Sequence, residues 1–269
     1  MKNKLKEYFS SVNIEYFSVL AYSDCIETNK RIMDRESFEP KSVIIYLLPY
    51  YAGSAENLSI YASSLDYHLA IKEINAGLEA LLRSNLDGVN LKGYGDHSPI
   101  DERHAALIGG LGIQGDNGLL INEKYGSFIF MGDLVTDISP ELLGAEPPKE
   151  YKKCEGCGAC KRACPTGILR AEGSDCLSAI TQRKGELTED EKAMMIKYNT
   201  LWGCDLCQTS CLYNKNPIVT PVEFFHRDRI PCLTKEVLNA MSDEEFERRA
   251  FAWRKRKIVE RNLDILYKK

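Results

Sequence analysis

The feature that most constrains this chain is a run of thiols. In KKCEGCGACKRACPTGIL, residues 152–169, cysteines stand at 154, 157, 160 and 164, and the last precedes Pro165. A second group follows in WGCDLCQTSCLYN, at Cys204, Cys207 and Cys211, with the isolated Cys176 between the two. Eight of the ten cysteines thus lie between positions 154 and 211 of a 269-residue chain. Disulfide frameworks belong to small secreted domains, whereas this is a large chain with no signal-like apolar run at its start. Reduced, metal-ligating thiolates are expected.

The spacing C-x2-C-x2-C-x3-C-P is that of bacterial ferredoxins, in which three close thiolates hold one 4Fe-4S cube and the fourth reaches another. That arrangement demands a second group of ligands, and Cys204, Cys207 and Cys211 supply three. Cys176 completes the count if it folds back to the same cluster. The expected sets are Cys154, Cys157, Cys160 and Cys211 for the first cube, and Cys164, Cys176, Cys204 and Cys207 for the second. Zinc sites use separate CxxC pairs and fit this run less well. Cys25 and Cys232 have no partner at ligand spacing and are read as ordinary buried thiols.

Upstream of Pro147-Pro148 the pattern is α/β (or α+β). A short amphipathic helix opens the chain (Leu5, Tyr8, Phe9, Val12), followed by the strand-like IEYFSVLAY and SVIIYLLPYY. Apolar residues from Tyr67 to Leu82 recur at helical spacing, a further helix is expected over 99–109, and GSFIFMGDLVT reads as a strand. Three segments result: an α/β domain over 1–148, a ferredoxin-like two-cluster domain over 149–218, and a helical extension over 219–269. Thr188 with Glu191 and Ser242 with Glu245 read as capping boxes, the second opening a basic C-terminal helix. The net charge of −4 gives no global attraction to nucleic acid, although residues 247–261 carry seven Arg or Lys against two Glu. No stretch has the length and apolarity of a membrane span, so a soluble cytoplasmic protein is expected.

Nucleotide and cobalt motifs are incomplete. G-x-G-x-x-G occurs at Gly110, Gly112 and Gly115, but after an expected helix rather than a strand, so a dinucleotide fold is not indicated. DYHLAI starts like a cobalt-ligating D-x-H-x-x-G but has Ile71 in place of the glycine, which argues against a His68–cobalt bond.

Several stretches carry a resemblance to the epoxyqueuosine reductase family, cobalamin and iron–sulfur enzymes of queuosine synthesis on tRNA. They are the cysteine region with GCDLCQ, the D-x-x-P-x-x-E-R at Asp96–Arg103, the Gly-rich segment that follows, the YGS-x4-G-x3-T from Tyr125, and DYH at 66–68. The chain resembles the short form, without the helical-repeat domain of longer members, and the family is related to corrinoid reductive dehalogenases. The resemblance implies electrons passing through both cubes to a base-off corrinoid that reduces an epoxide-like substrate, with Asp96 as proton donor. It places Asp66, Tyr67 and His68 on the substrate side and Gly112, Asn117 and Asp205 against the corrinoid. It also implies tRNA as a partner, a donor such as a ferredoxin or flavodoxin, and a monomer.

Competing roles exist for these residues. Asp96 could cap the helix near Pro99, Tyr67 could be core, and Glu102 with Arg103 reads as a structural pair. Asp116 stands where the family usually has a lysine, reversing a charge beside the expected cofactor. That departure favours one alternative, a corrinoid enzyme acting on a small molecule, as in reductive dehalogenation; a second alternative is a non-catalytic 4Fe-4S electron carrier whose N-terminal domain is only a docking surface.

Overall fold

The computed structural model describes residues 1–172 and 175–267. It divides into two compact units, Met1–Pro49 with His68–Gly156, and Tyr50–Tyr67 with Cys157–Lys269.

The first unit contains α1 (Lys2–Ser11), β1 (Phe17–Ala21), α2 (Lys30–Met33) and β2 (Ser42–Pro49). After the excursion of residues 50–67 come α3 (Tyr67–Arg83), β3 (Leu91–Tyr94), α4 (Glu102–Ile108), β4 (Ile113–Gln114), β5 (Leu120–Ile121), β6 (Ile129–Thr136) and α5 (Pro140–Leu143). Four strands form one sheet in the order β1-β2-β6-β3, every neighbour antiparallel. Of the two expected classes, α+β is the one adopted.

All eight residues of β2 are buried, because it is an interior strand covered on both faces. Val43, Ile45 and Leu47 pack with Val135 and with Ala105–Ile108 of α4. On the opposite face the Tyr46 ring lies 5.4 Å from that of Phe9 in α1, and its hydroxyl donates to Asn75 Oδ1 of α3 at 3.2 Å. A helix thus covers each face of the sheet. The GxGxxG segment follows α4 and enters the β4–β5 hairpin, which excludes the strand-then-helix order of a dinucleotide site.

The second unit contains α6 (Ala159–Ala163), α7 (Leu177–Gln182), α8 (Glu189–Lys197), α9 (Leu206–Thr209), α10 (Lys235–Ala240), α11 (Asp243–Glu247) and α12 (Arg256–Tyr267). Its core joins Leu58, Trp202, Leu233, Phe246, Phe251, Val259 and Leu263. These residues come from the 50–67 excursion, the cysteine region and the C-terminal stretch. The units are therefore drawn differently from the three segments read along the chain, because contiguity in sequence does not reveal which distant segments share a core. Asn57 fixes the excursion, donating to Leu233 O at 2.8 Å and accepting from Leu233 N at 2.9 Å.

Both capping boxes form, at Thr188 with Glu191 and at Ser242 with Glu245. The second opens only the short α11. The chain then turns through Phe251, which is fully buried, and through Lys255 in the left-handed region (φ 73°) before α12 begins. The expected single basic helix is two helices, separated by a turn in which Phe251 is buried beside Trp202, with ring centroids 6.2 Å apart. No helix among the described residues is long and apolar enough to cross a membrane.

Candidate cluster loops and catalytic groove

The cysteine loops show how each thiol is prepared. Burial opposes ionisation of Cys164, yet its thiol is held below the ordinary range by the amides of Leu169, Thr166 and Gly167 and the Thr166 hydroxyl. Gly167 (φ 72°) lets the chain fold back over that sulfur. Cys154 Sγ accepts from the Asp116 amide at 3.3 Å, and the Cys154 amide donates to Gln114 O at 2.8 Å. Asp116 thus serves a cysteine through its backbone, whatever its side chain carries. Such N–H···S bonds suit the thiolates of an iron–sulfur cube, whose potential they help to set.

Burial pushes the Cys204 thiol up to about 12, and Cys176, Asp205 and Cys207 lie close enough to raise it further. The isolated Cys176 is therefore near Cys204, and it leads directly into α7. Helices α6, carrying Cys160, and α9, carrying Cys207, are in contact. Among the described residues no three His, Cys, Asp or Glu side chains gather closely enough for a single metal ion. Cys25 is half-buried and its thiol is pushed up to about 12 by burial, while the half-buried Cys232 is also raised.

Asp205 is committed within its own unit. Its Oδ1 accepts from the Ser59 hydroxyl at 2.5 Å and its Oδ2 from the Ile60 amide at 2.6 Å. Burial nevertheless raises its carboxyl, against the lowering effect of those two bonds. A cavity of about 200 Å³ adjoins it, lined in part by Ser59, Ile60, Asn199, Cys204 and Thr209.

In the first unit, a groove of about 370 Å³ runs between α3 and β3, lined by His68, Ile71, Asn75, Lys92, Tyr94 and Gly95. Two glycines allow this approach: a Cβ on Gly93 would meet Asn75 Cγ at 2.5 Å, and one on Gly95 would meet Ile71 Cδ1 at 2.7 Å. Asp96 follows at once, exposed and in the left-handed region (φ 64°). It does not cap the next helix. Asp101 does, its Oδ1 accepting from His104 N at 3.0 Å. Asp66 and Tyr67 stand at the head of α3 within the second unit, where the Asp66 amide donates to Arg248 O at 2.9 Å.

Glu102 and Arg103 do not form the expected pair. Arg103 Nη1 donates to Gly118 O at 2.7 Å, whereas Glu102 Oε1 accepts from the Asp96 amide at 3.1 Å. The Glu102 carboxyl also meets that of Asp133, a residue absent from the sequence expectations. A charged residue inside the apolar strand FIFMGDLVT was the signal that could have found it.

Gly112 precedes the β4–β5 hairpin and Asn117 lies in its turn. A Cβ on Gly112 would lie 2.5 Å from Ile121 O, so the turn itself requires glycine there. Asn117 Oδ1 accepts from Leu119 N at 3.3 Å, but its buried Nδ2 has no partner. That orphaned donor can serve an acceptor supplied by a bound molecule.

Paired cysteine groups with amide-bonded sulfurs, joined to an α+β unit with a grooved helix–strand face, define a two-cluster iron–sulfur protein. Residues 153–214 match the family of 4Fe-4S double cluster binding domains. An epoxyqueuosine reductase from Cyclobacterium marinum is 30% identical over 95% of this chain and 85% of its own length. One from Leadbetterella byssophila is 33% identical over 76% and 68%. The chain belongs to the epoxyqueuosine reductase family. It spans 64% of the length of the Listeria monocytogenes relative, to which it is 32% identical.

The fold agrees with that of the Streptococcus thermophilus epoxyqueuosine reductase, with a TM-score of 0.79 at 23% identity, covering 99% of this chain and 80% of that one. An epoxyqueuosine reductase bound to a modified tRNA stem loop gives 0.80 at 24%, covering 98% and 80%. A catabolic reductive dehalogenase is more distant, at 0.51 and 14%, covering 97% and 35%.

Proposed function

We propose that this chain is a cytoplasmic, monomeric, cobalamin-dependent reductase of the epoxyqueuosine type. Its first cube would be held by Cys154, Cys157, Cys160 and Cys211, and its second by Cys164, Cys176, Cys204 and Cys207. The observation that carries the reading is the groove, where His68 and the Gly95–Asp96 loop, both expected at a substrate site, line or adjoin one surface of the first unit. The amide-bonded sulfurs of Cys154 and Cys164, and the nearness of Cys176 to Cys204, support the ligand sets. The unpartnered Asn117 Nδ2 supports a corrinoid contact there.

When bound, the clusters and the corrinoid would supply low-potential electrons and a low-valent metal centre. The chain's own work is positioning and proton supply. Removing an epoxide oxygen as water takes two electrons and two protons, and Asp96 would give a proton to the departing oxygen. Asp66, Tyr67 and His68 would orient the substrate. A ferredoxin or flavodoxin would be the electron donor.

A relative is seen with a tRNA stem loop, and tRNA is the proposed substrate here. The basic stretch offers less than its charge count suggests, because Arg249, Arg256 and Arg261 are bonded to backbone carbonyls. The RNA-facing charge would come from Arg248, Lys255 and Lys257, all exposed.

The test is anaerobic reconstitution followed by turnover. About eight irons and one retained cobalamin per chain are expected, with conversion of epoxyqueuosine tRNA that Asp96→Asn abolishes without changing either content. Conversion of a halogenated small molecule but not of tRNA would favour the dehalogenase-like alternative. Eight irons with no cobalamin retained, and no turnover, would leave an electron carrier.

A further inference from the structure

Asp133 stands in the middle of β6 with a fully buried side chain. Its Oδ2 accepts from the Ser98 hydroxyl at 3.0 Å, while no N–H or hydroxyl donor reaches its buried Oδ1. The carboxyl of Glu102 is in contact with it from the first turn of α4. Two acceptors cannot bond to one another unless one carries hydrogen, and two anions in contact, one fully buried and one partly so, repel when no cation lies between them. Arg103, the adjacent cation, is bonded to Gly118 O. The other groups that act on the pair are Asp96 from the β3–α4 loop, Tyr46 from β2, Tyr94 from β3 and Cys25 from the turn after β1, none cationic.

We propose that Glu102 and Asp133 share one proton, and that the protonated pair is a latch that positions Asp96, with Glu102 as the positioning residue. The proton on Glu102 satisfies Asp133 Oδ1, and the other Glu102 oxygen receives the Asp96 amide. That bond holds Asp96 in a left-handed conformation that most non-glycine residues avoid. Ser98 closes the loop from its far side by donating to the same Asp133 carboxylate. The pair gives up no proton during turnover; Asp96 is the residue that gives and regains one. Burial, followed by mutual repulsion, raises Glu102 to about 9, and burial raises Asp133 to about 7, so the shared proton persists at neutral pH.

The latch rests on the reading of Asp96 as proton donor, but two of its consequences need no substrate. Infrared spectra of the reconstituted holoenzyme at neutral pH should show a protonated-carboxyl stretch that is lost in E102Q and on raising the pH above 9. Hydrogen exchange of the Asp96 amide should be slow in wild type and E102Q and at least about tenfold faster in Glu102→Ala, in the range expected for losing one hydrogen bond. Above pH 9 wild type should exchange faster than E102Q at the same pH, because glutamine donates and accepts without titrating. With turnover available, E102Q should keep kcat and lose the alkaline limb of the pH profile, while Glu102→Ala lowers kcat and leaves KM in place.

The same infrared band in E102Q, or equal Asp96 exchange in wild type and Glu102→Ala, would overturn the latch. An inactive holoenzyme that still shows the band and the exchange differences would count against the proposed function and support the latch.

Discussion

Ser59 and Asp205, 146 positions apart, are joined by a hydrogen bond of 2.5 Å inside the second unit. With the Ile60 amide on the other oxygen, this bond fixes the segment between Cys204 and Cys207 to the 50–67 excursion. Removing the carboxylate leaves a hydroxyl and an amide without their acceptor. Asp205→Ala is expected to cost about 2–3 kcal/mol and to lower iron retention, as read by chemical denaturation and iron analysis. Unchanged stability would mean that water replaces the carboxylate at no cost.

The β4–β5 hairpin depends on a missing side chain. A methyl group at position 112 would sit 2.5 Å from the Ile121 carbonyl, a backbone atom that cannot swing away. Gly112→Ala should destabilise the first unit by about 1–3 kcal/mol in a thermal melt, even without any cofactor. A loss of cobalamin binding with no change in melting would instead assign Gly112 to the cofactor alone.

Charge in the C-terminal stretch divides by role. Arg261 Nη1 donates to Arg183 O at 2.8 Å and Gly185 O at 2.6 Å, and Arg256 donates to Leu238 O and Met241 O at 2.8 and 3.0 Å. Arg261→Ala should cost about 2 kcal/mol of stability, since several carbonyls lose a charged donor. Lys255→Ala and Lys257→Ala should leave the melt unchanged and, if the stretch meets RNA, reduce the salt slope of binding by about one unit each. Fluorescence anisotropy against salt concentration reads the second effect.

The Glu102–Asp133 pair sets a pH dependence with a definite sign. Both carboxyls lie above their ordinary values of 4.5 and 3.8, at about 9 and about 7. Between those limits the folded chain holds more protons than the unfolded one. Stability contributed by the pair is therefore present near pH 4 and lost as pH rises toward 9, at up to about 1.4 kcal/mol per pH unit for each proton. Denaturant midpoints measured across that range should fall more steeply in wild type than in E102Q. Equal slopes would show that the pair does not hold the extra protons.

Cysteine spacing alone was enough to expect the iron–sulfur region, and the family match over 153–214 agrees with it. Amphipathic periodicity located α1 and α3, and the apolar runs located β2 and β6, because these signals depend on near neighbours in the chain. Both capping boxes were legible for the same reason, each being completed within four residues. The short strands β3, β4 and β5 carry too few residues to show a period, and the break before α12 has no glycine or proline in the sequence to announce it.

What the tertiary structure decided is which distant groups meet. It assigned residues 50–67 to the second unit, turned Arg249, Arg256 and Arg261 from candidate RNA contacts into donors to backbone carbonyls, and separated Glu102 from its neighbour Arg103. It set Glu102 against Asp133, 31 positions away, beneath the loop that carries Asp96. A sequence states the identity and spacing of its residues, and so determines motifs and local periodicity. Burial and the pairing of side chains arise only when the sheet and helices close around them, and these decide which carboxyl keeps a proton and which side chain an arginine can reach.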